Sequence, residues 1–364
     1  MISPSLERHI KARTVELGQS IVHRKKIYLD LNFWIKIRDA ALGTNTDSNI
    51  HEFLNLLRKG VACGNLICPL SKNIFIEMTK QAPNQKGRIA TAKLIDELSL
   101  GISFIPNRDL VGKEIQRWLF EIQGHRNLHD MQDLIWVKAG YTLGYYFPEL
   151  SEFEIDQTDE DDLQKKIFDG IWYITTTDMV NSTLHMKFGR DYIDQTIEEI
   201  NRRNAEHSHE LISFEKSYDI ELRGMIECYG PVAAQIIKQI SSPLDGWPLS
   251  DSPEDKEYRE IGAKNLMYEE IKMHHRNDRL RSIHIYSSIH AAMRWDKTRQ
   301  FKTNDYYDFE HAQVALGYCD AFFTERPLKH LVTRPPLCLT EINGCVVIAI
   351  SDVTAAVEYL KSLS

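Results

Sequence analysis

Four carboxylates carry the chemical information in this chain of 364 residues: Asp30, Glu77, Asp308 and Glu325. Asp30 ends the apolar run Ile27-Tyr28-Leu29. Glu77 lies in a helix-forming stretch, 72–80, that follows the strand-like Leu66-Ile67-Cys68-Pro69-Leu70. Asp308 stands with Asp305 and Glu310 at the start of a helical pattern in which Phe309, Ala312, Ala315 and Leu316 recur on one side. Glu325 follows the short run Ala321-Phe322-Phe323-Thr324, and Pro327 then opens another helix. In an open parallel sheet, sites form outside the carboxyl ends of the strands, so these acids could converge although they are far apart in sequence. A cluster of hard oxygen donors suits Mg²⁺ or Mn²⁺. Such an ion activates water and neutralises charge on phosphorus during phosphodiester hydrolysis.

Each residue also has a plainer use. Asp30 could simply cap the following helix, and a lone helical Glu such as Glu77 usually faces solvent. Asp305 is one turn before Asp308; it could share that residue's face or cap the helix. Asn32 and Thr324 offer neutral oxygens beside the cluster. His311, one turn after Asp308, suits a proton donor, a partner for a carboxylate, or a packed core histidine. Asp320 starts the Phe322-Phe323 strand and so falls at its wrong end, over ~10 Å from the site. Cys319 shows no local sign of activation and reads as a buried thiol.

The elements that must hold these residues alternate. Strands at 27–31, 66–70 and 102–105 are separated by helices at 34–41, 48–60, 72–80 and 87–99, which predicts a parallel sheet with right-handed crossovers. After residue 107 strand signals fade and long helical patterns take over, among them 111–121, 131–146, 163–179, 192–203 and 231–240. Polar stretches at 152–162 and 243–253 read as loops. From 281 the alternation returns: a helix at 282–295, the helix-strand-helix stretch 303–332, a strand at 345–350 and a last helix at 352–363. The organisation expected is an α/β core from 1–106 and 281–364, with 107–280 as a large, mostly α-helical insertion.

The disposition of Asp30, Glu77, Asp308 and Glu325 beside Thr324 resembles the PIN-like nuclease domain. That family places an aspartate after the first strand, a glutamate on the helix after the second, an aspartate opening a late helix, and an acid near a threonine after the next strand. The resemblance covers the first hundred residues or so and the last eighty. It departs from the family at Arg326, where an aspartate is common; Glu325 is the nearest substitute. What it implies is a Rossmann-like fold and a Mg²⁺- or Mn²⁺-dependent endoribonuclease acting on RNA, single-stranded by preference. A toxin or antiphage-defence effector is the expected setting, with a co-encoded regulatory partner or homo-oligomer in view.

Composition narrows the field. The net charge of −8 argues against holding long nucleic acid by charge alone. Basic walls are therefore sought locally, in Lys272, Arg276, Arg279 and Arg281, and in Arg202 and Arg203. Six cysteines show no zinc spacing. No apolar run is long enough to cross a bilayer, and the charged first residues lack an apolar signal core, so a cytoplasmic protein without membrane contact is expected. Two other functions compete. A catalytically silent PIN-like module would bind a partner protein through the insertion. A haloacid-dehalogenase-type phosphatase would use Asp30, Ser71 and Lys72, but it requires an aspartate where Asn32 stands.

Overall fold

The computed structural model describes residues 3–80, 85–148, 156–183, 191–241, 245–274 and 278–363. In chain order the elements are α1 (Pro4–Ser20), β1 (Lys25–Leu29), α2 (Leu31–Ala41), α3 (Ser48–Ala62), β2 (Leu66–Ile67), α4 (Lys72–Lys80), α5 (Gln85–Ser99), β3 (Ile102–Phe104), α6 (Asn107–Ile122), α7 (Met131–Leu134) and β4 (Trp136–Lys138). They continue with α8 (Gln157–Trp172), α9 (Thr176–Thr183), α10 (Asp191–Glu206), α11 (Phe214–Ile240), α12 (Pro253–Met273), α13 (Arg281–Trp295), α14 (Thr303–Tyr318), β5 (Ala321–Thr324), α15 (Arg326–Thr333), β6 (Val346–Ala349) and α16 (Val353–Ser362).

Four parallel strands in the order β2-β1-β5-β6 make the central sheet. Side chains alternate across it. Tyr28 and Phe322 face His311 of α14, with rings 5.6 Å apart in each contact with Tyr28. Phe323 turns the other way, against Phe33, Phe53 and Tyr359 of α2, α3 and α16. Both faces are therefore covered, as the uniformly apolar strands require. The chain is thus of mixed α/β class, with helices flanking a parallel sheet.

The strand at 102–105 does not join that sheet as expected. β3 pairs antiparallel with β4 and reaches the main sheet through a single parallel bridge, Leu70–Ser103. Pro69 has no N–H with which to continue the β2 ladder, and β2 stops after Ile67. The expected helix over 131–146 is also replaced. Ile135, Trp136 and Val137 are buried as β4 and its lead-in, with the Trp136 ring 4.3 Å from Phe104. The helical pattern at 163–179 breaks at Tyr173–Thr175 because Asp96 of α5 accepts the amides of Thr176 and Thr177 and starts a new helix there.

The stretch 107–280 divides by what it covers. Phe168, Trp172, Val180 and Ile197, from α8, α9 and α10, bury into the core around the central sheet. α6, α11 and α12 instead form a second apolar cluster, with Trp118, Leu222, Ile226 and Met267 at its centre and Ile283 of α13 closing it. Of the two expected loops, 152–155 and 243–244 lie outside the described residues. Asp156 caps α8 through the amides of Thr158 and Asp159.

Candidate functional site

The carboxyl ends of β1 and β5 lie side by side, since Leu29 pairs with Phe323 and the Asp30 amide donates to the Phe323 carbonyl at 2.9 Å. The chain after each strand turns straight into a helix, so Asp30 and Glu325 both emerge at that edge. α14 runs back from there toward the start of β5, which brings its first turns, with Asp305 and Asp308, over the same edge. α4 supplies Glu77. An open cleft of about 540 Å³ results, lined by Asp30, Glu77, Asp305, Asp308, His311 and Glu325, with Asn32 between them.

Three of the acids have a partner that fixes them. Asp30 Oδ1 accepts from the Asn32 amide at 2.6 Å, capping α2, while its Oδ2 accepts from Thr324 Oγ1 at 3.1 Å. The cap and the site position are thus the same residue. His311 Nε2 donates to Glu77 Oε2 at 2.7 Å, and its Nδ1 lies 2.6 Å from the Tyr28 hydroxyl. Tyr28 in turn meets Ser71 Oγ at 2.6 Å, so Ser71 belongs to this buried chain of hydrogen bonds. The Asn32 side-chain amide donates to Glu325 Oε1. Asn32, Thr324 and His311 therefore each orient a different carboxylate.

Asp308 has no hydrogen-bond partner among the described residues, and its electrostatics follow. Burial pushes its carboxyl up to about 8; His311 opposes this, while Asp30, Glu77 and Glu325 add to it by like-charge repulsion. Burial likewise raises Asp30 to about 6, against the pull of His311 and the Asn32 amide. His311 is drawn down by burial but carried above its ordinary value by Glu77, Asp30 and Asp308. Asp305 lines the cleft but accepts the Lys302 amide at 2.7 Å, which stops the amino end of α14. Glu310 turns away toward Lys72 and Asn73.

The expected basic walls are elsewhere. Lys272 pairs with Asp219 at 3.0 Å, and Arg279 with Glu121 and Glu270. Arg281 donates to the carbonyls of Asp278 and Gly317, at the far end of α14 from Asp308, about 13 Å away along the helix. Arg202 and Arg203 pair with Glu199. Lys272, Arg279, Arg202 and Arg203 are neutralised by neighbouring carboxylates, Arg281 is engaged by backbone carbonyls, and none of these lines the cleft; Arg276 lies outside the described residues. Among the described residues, the cations that do line the cleft are Lys80 and Lys302. Lys80, three residues after Glu77 on α4, lies 4.5 Å from the centre of the Tyr307 ring and hydrogen-bonds its hydroxyl. Asp194 of α10 also reaches the cleft and accepts from Thr303 Oγ1. Lys80 was legible in principle, being one turn from Glu77; Asp194 had no signal beyond an acidic helix start.

Asp320 stays out of the cleft, accepting from Lys25 Nζ at 2.7 Å and the Lys26 amide at 2.8 Å. The Cys319 thiol is buried and held well above its ordinary value by that burial.

No protein-family model, curated protein or solved structure matches this chain. The site must be judged on its own donors. Among the described residues no three His, Cys, Asp or Glu side chains are gathered closely enough to hold an ion between them. The set is nonetheless rich in carboxylate and amide oxygen, gathered around the part-buried Asp308, which has no hydrogen-bond partner among the described residues. Mg²⁺ is commonly held by one or two carboxylates with water completing its shell. The residues present fit that mode rather than a closed protein cage. Among the described residues, no helix is long and apolar enough to cross a membrane.

Proposed function

We propose that this chain is a metal-dependent endoribonuclease with a PIN-like core. The observation that carries the reading is the convergence of Asp30, Glu77, Asp308 and Glu325 on one cleft at the carboxyl edge of a parallel sheet. Burial and mutual repulsion there raise Asp308 and Asp30, an arrangement that a divalent cation would relieve. Asp30 and Asp308 would hold Mg²⁺ or Mn²⁺, with Glu77 and Glu325 completing the acidic wall. When bound, such an ion supplies an activated water and charge neutralisation at phosphorus. Thr324, His311 and Asn32 keep three of the carboxylates in fixed orientations. Lys80, braced by Tyr307, offers the ammonium that can meet a phosphate oxygen. A toxin or defence effector is the setting in which we place this activity, with a regulatory partner or self-association controlling it.

The deciding experiment is cleavage of a single-stranded RNA by the purified chain, alone and with co-encoded proteins, in Mn²⁺, Mg²⁺ and EDTA. Cutting with either ion and none in EDTA is expected, together with a rise in melting temperature on adding Mn²⁺. The absence of both effects would favour the silent-module reading, which the unclosed ligand set and Arg326 also suit. Hydrolysis of small phosphomonoesters in place of RNA would favour the phosphatase.

His311 gives a further test, as a positioning residue. His311→Ala should weaken Mn²⁺ affinity about 10- to 100-fold, the usual cost of removing a group that orients a ligand. His311→Gln, which keeps a donor toward Glu77, should recover part of that loss. Calorimetric titration of Mn²⁺ measures it; equal affinity in all three proteins would remove Glu77 from the site.

A further inference from the structure

We infer that the wall of the cleft beyond Asp308 is a subsite for an unpaired nucleobase next to the scissile phosphate. This rests on the nuclease reading above. A second cavity, of about 360 Å³, opens off the acidic cleft and shares Lys302, Asp305, Asp308 and Pro327 with it. Its volume falls at the small end of ordinary ligand sites, about 300–1,000 Å³. The chemistry changes across the shared edge. On one side are the carboxylates. On the other, beside Thr298 and Gln300, the floor is formed by the edges of Met293 at the end of α13, Phe309 of α14 and Leu328 of α15, all nearly buried, with the half-buried Leu331 of α15.

The rim of this apolar shelf is basic. Arg299 lies along it, with Nη1 3.7 Å from Met293 Sδ. Its ion pair with Asp296, at 3.3 Å, is open to water on both sides, with 39% and 41% of the two side chains exposed. Exposed pairs of this kind contribute little, so the guanidinium can exchange Asp296 for a phosphate at small cost. Lys302 stands between the two cavities. An apolar surface edged by a guanidinium and continuous with a phosphate-cleaving centre matches one nucleotide: the base rests on the shelf and its phosphate meets the rim. A base held in a duplex cannot reach such a shelf without unstacking, so the subsite selects single strands.

The test is equilibrium binding of labelled tetraribonucleotides to the full chain in Ca²⁺, each probe lacking one base in turn. One abasic position should weaken binding about ten-fold, the range expected for one lost stacked base. Arg299→Ala and Leu331→Ser, with unchanged melting temperatures, should lower affinity for the intact probe and abolish the dependence on that position. The abasic series leaves the protein untouched, so a variant that folds poorly does not decide the matter. Equal affinity for every abasic probe overturns the subsite, whether or not RNA is cut. Base-dependent binding by a chain that cuts no RNA in Mn²⁺ would keep the subsite and remove only the nuclease reading.

Discussion

Asp308→Asn should abolish RNA cleavage and, in the same protein, raise the stability of the metal-free fold. The two effects have one cause. Asp308 is partly buried, has no hydrogen-bond partner among the described residues, and faces Asp30, Glu77 and Glu325. Its folded value of about 8 stands above the ordinary 3.8. Below pH ~4 the group is neutral in both states and stability is unaffected. As pH rises, the unfolded chain ionises first, so the native state loses stability until about pH 8, where the penalty is complete. Asparagine removes the proton equilibrium and keeps the shape. A gain of up to roughly 5 kcal/mol at pH 8, shrinking toward zero at pH 4, is expected. Adding Mn²⁺ should raise the melting temperature of the wild type and leave the variant nearly unmoved. Thermal melts from pH 4 to 9, with Mn²⁺ or EDTA, measure all of this. A variant that is less stable than wild type at pH 8 would mean that Asp308 is satisfied by a structural partner, and the metal reading would lose its strongest residue. Asp30→Asn should also stop cleavage while preserving the α2 cap, because the amide oxygen can still accept from Asn32.

Glu114→Ala should be the most damaging single change away from the cleft. Glu114, on α6, is 1% exposed. It accepts from the Ser282 amide at 3.1 Å, from Ser282 Oγ at 2.7 Å and from the Tyr318 hydroxyl. Ser282 stands in the first turn of α13 and Tyr318 ends α14, so one carboxylate ties the second apolar cluster to the sheet core. Gln313 and Asn107 extend the tie, through Gln313 Nε2 to the Ser282 carbonyl at 3.1 Å and Asn107 Nδ2 to Gln313 Oε1. Alanine would leave three buried donors without an acceptor. The cost is roughly 3–5 kcal/mol, which for a chain of this size lowers the melting temperature by roughly 4–7 °C. The loss depends on pH. Burial lifts Glu114 to about 7, although Tyr318 and Ser282 pull it down. The wild type therefore gives up stability between about pH 4.5 and 7, and the gap to the variant should be widest at about pH 4.5 and below and smallest above about pH 7. A gap independent of pH would show that Glu114 stays ionised throughout that range.

Much of the core was legible because its signals are local. An apolar run followed by an acid or a proline marks a strand end, and the helical period of residues 309–316 marks the element that leads back to it. Those two facts place Asp30, Glu77, Asp308 and Glu325 on one edge once the strands are parallel, since every strand then points the same way. Asn32, Thr324 and His311 were legible for the same reason, each lying within three residues of an acid it accompanies. What residue spacing does not encode is which partner a side chain meets. A basic cluster looks alike whether it faces RNA or is neutralised by Asp219, Glu121 and Glu270. A three-residue strand such as β3 carries too few side chains to specify its neighbour. A helix with one apolar face states that it must be covered and not by what, so tertiary packing alone sent α8–α10 to the sheet and α11–α12 to a core of their own. It also brought Lys302, Arg299 and the α15 leucines beside the acids, because contacts between distant segments depend on the shape of the whole chain.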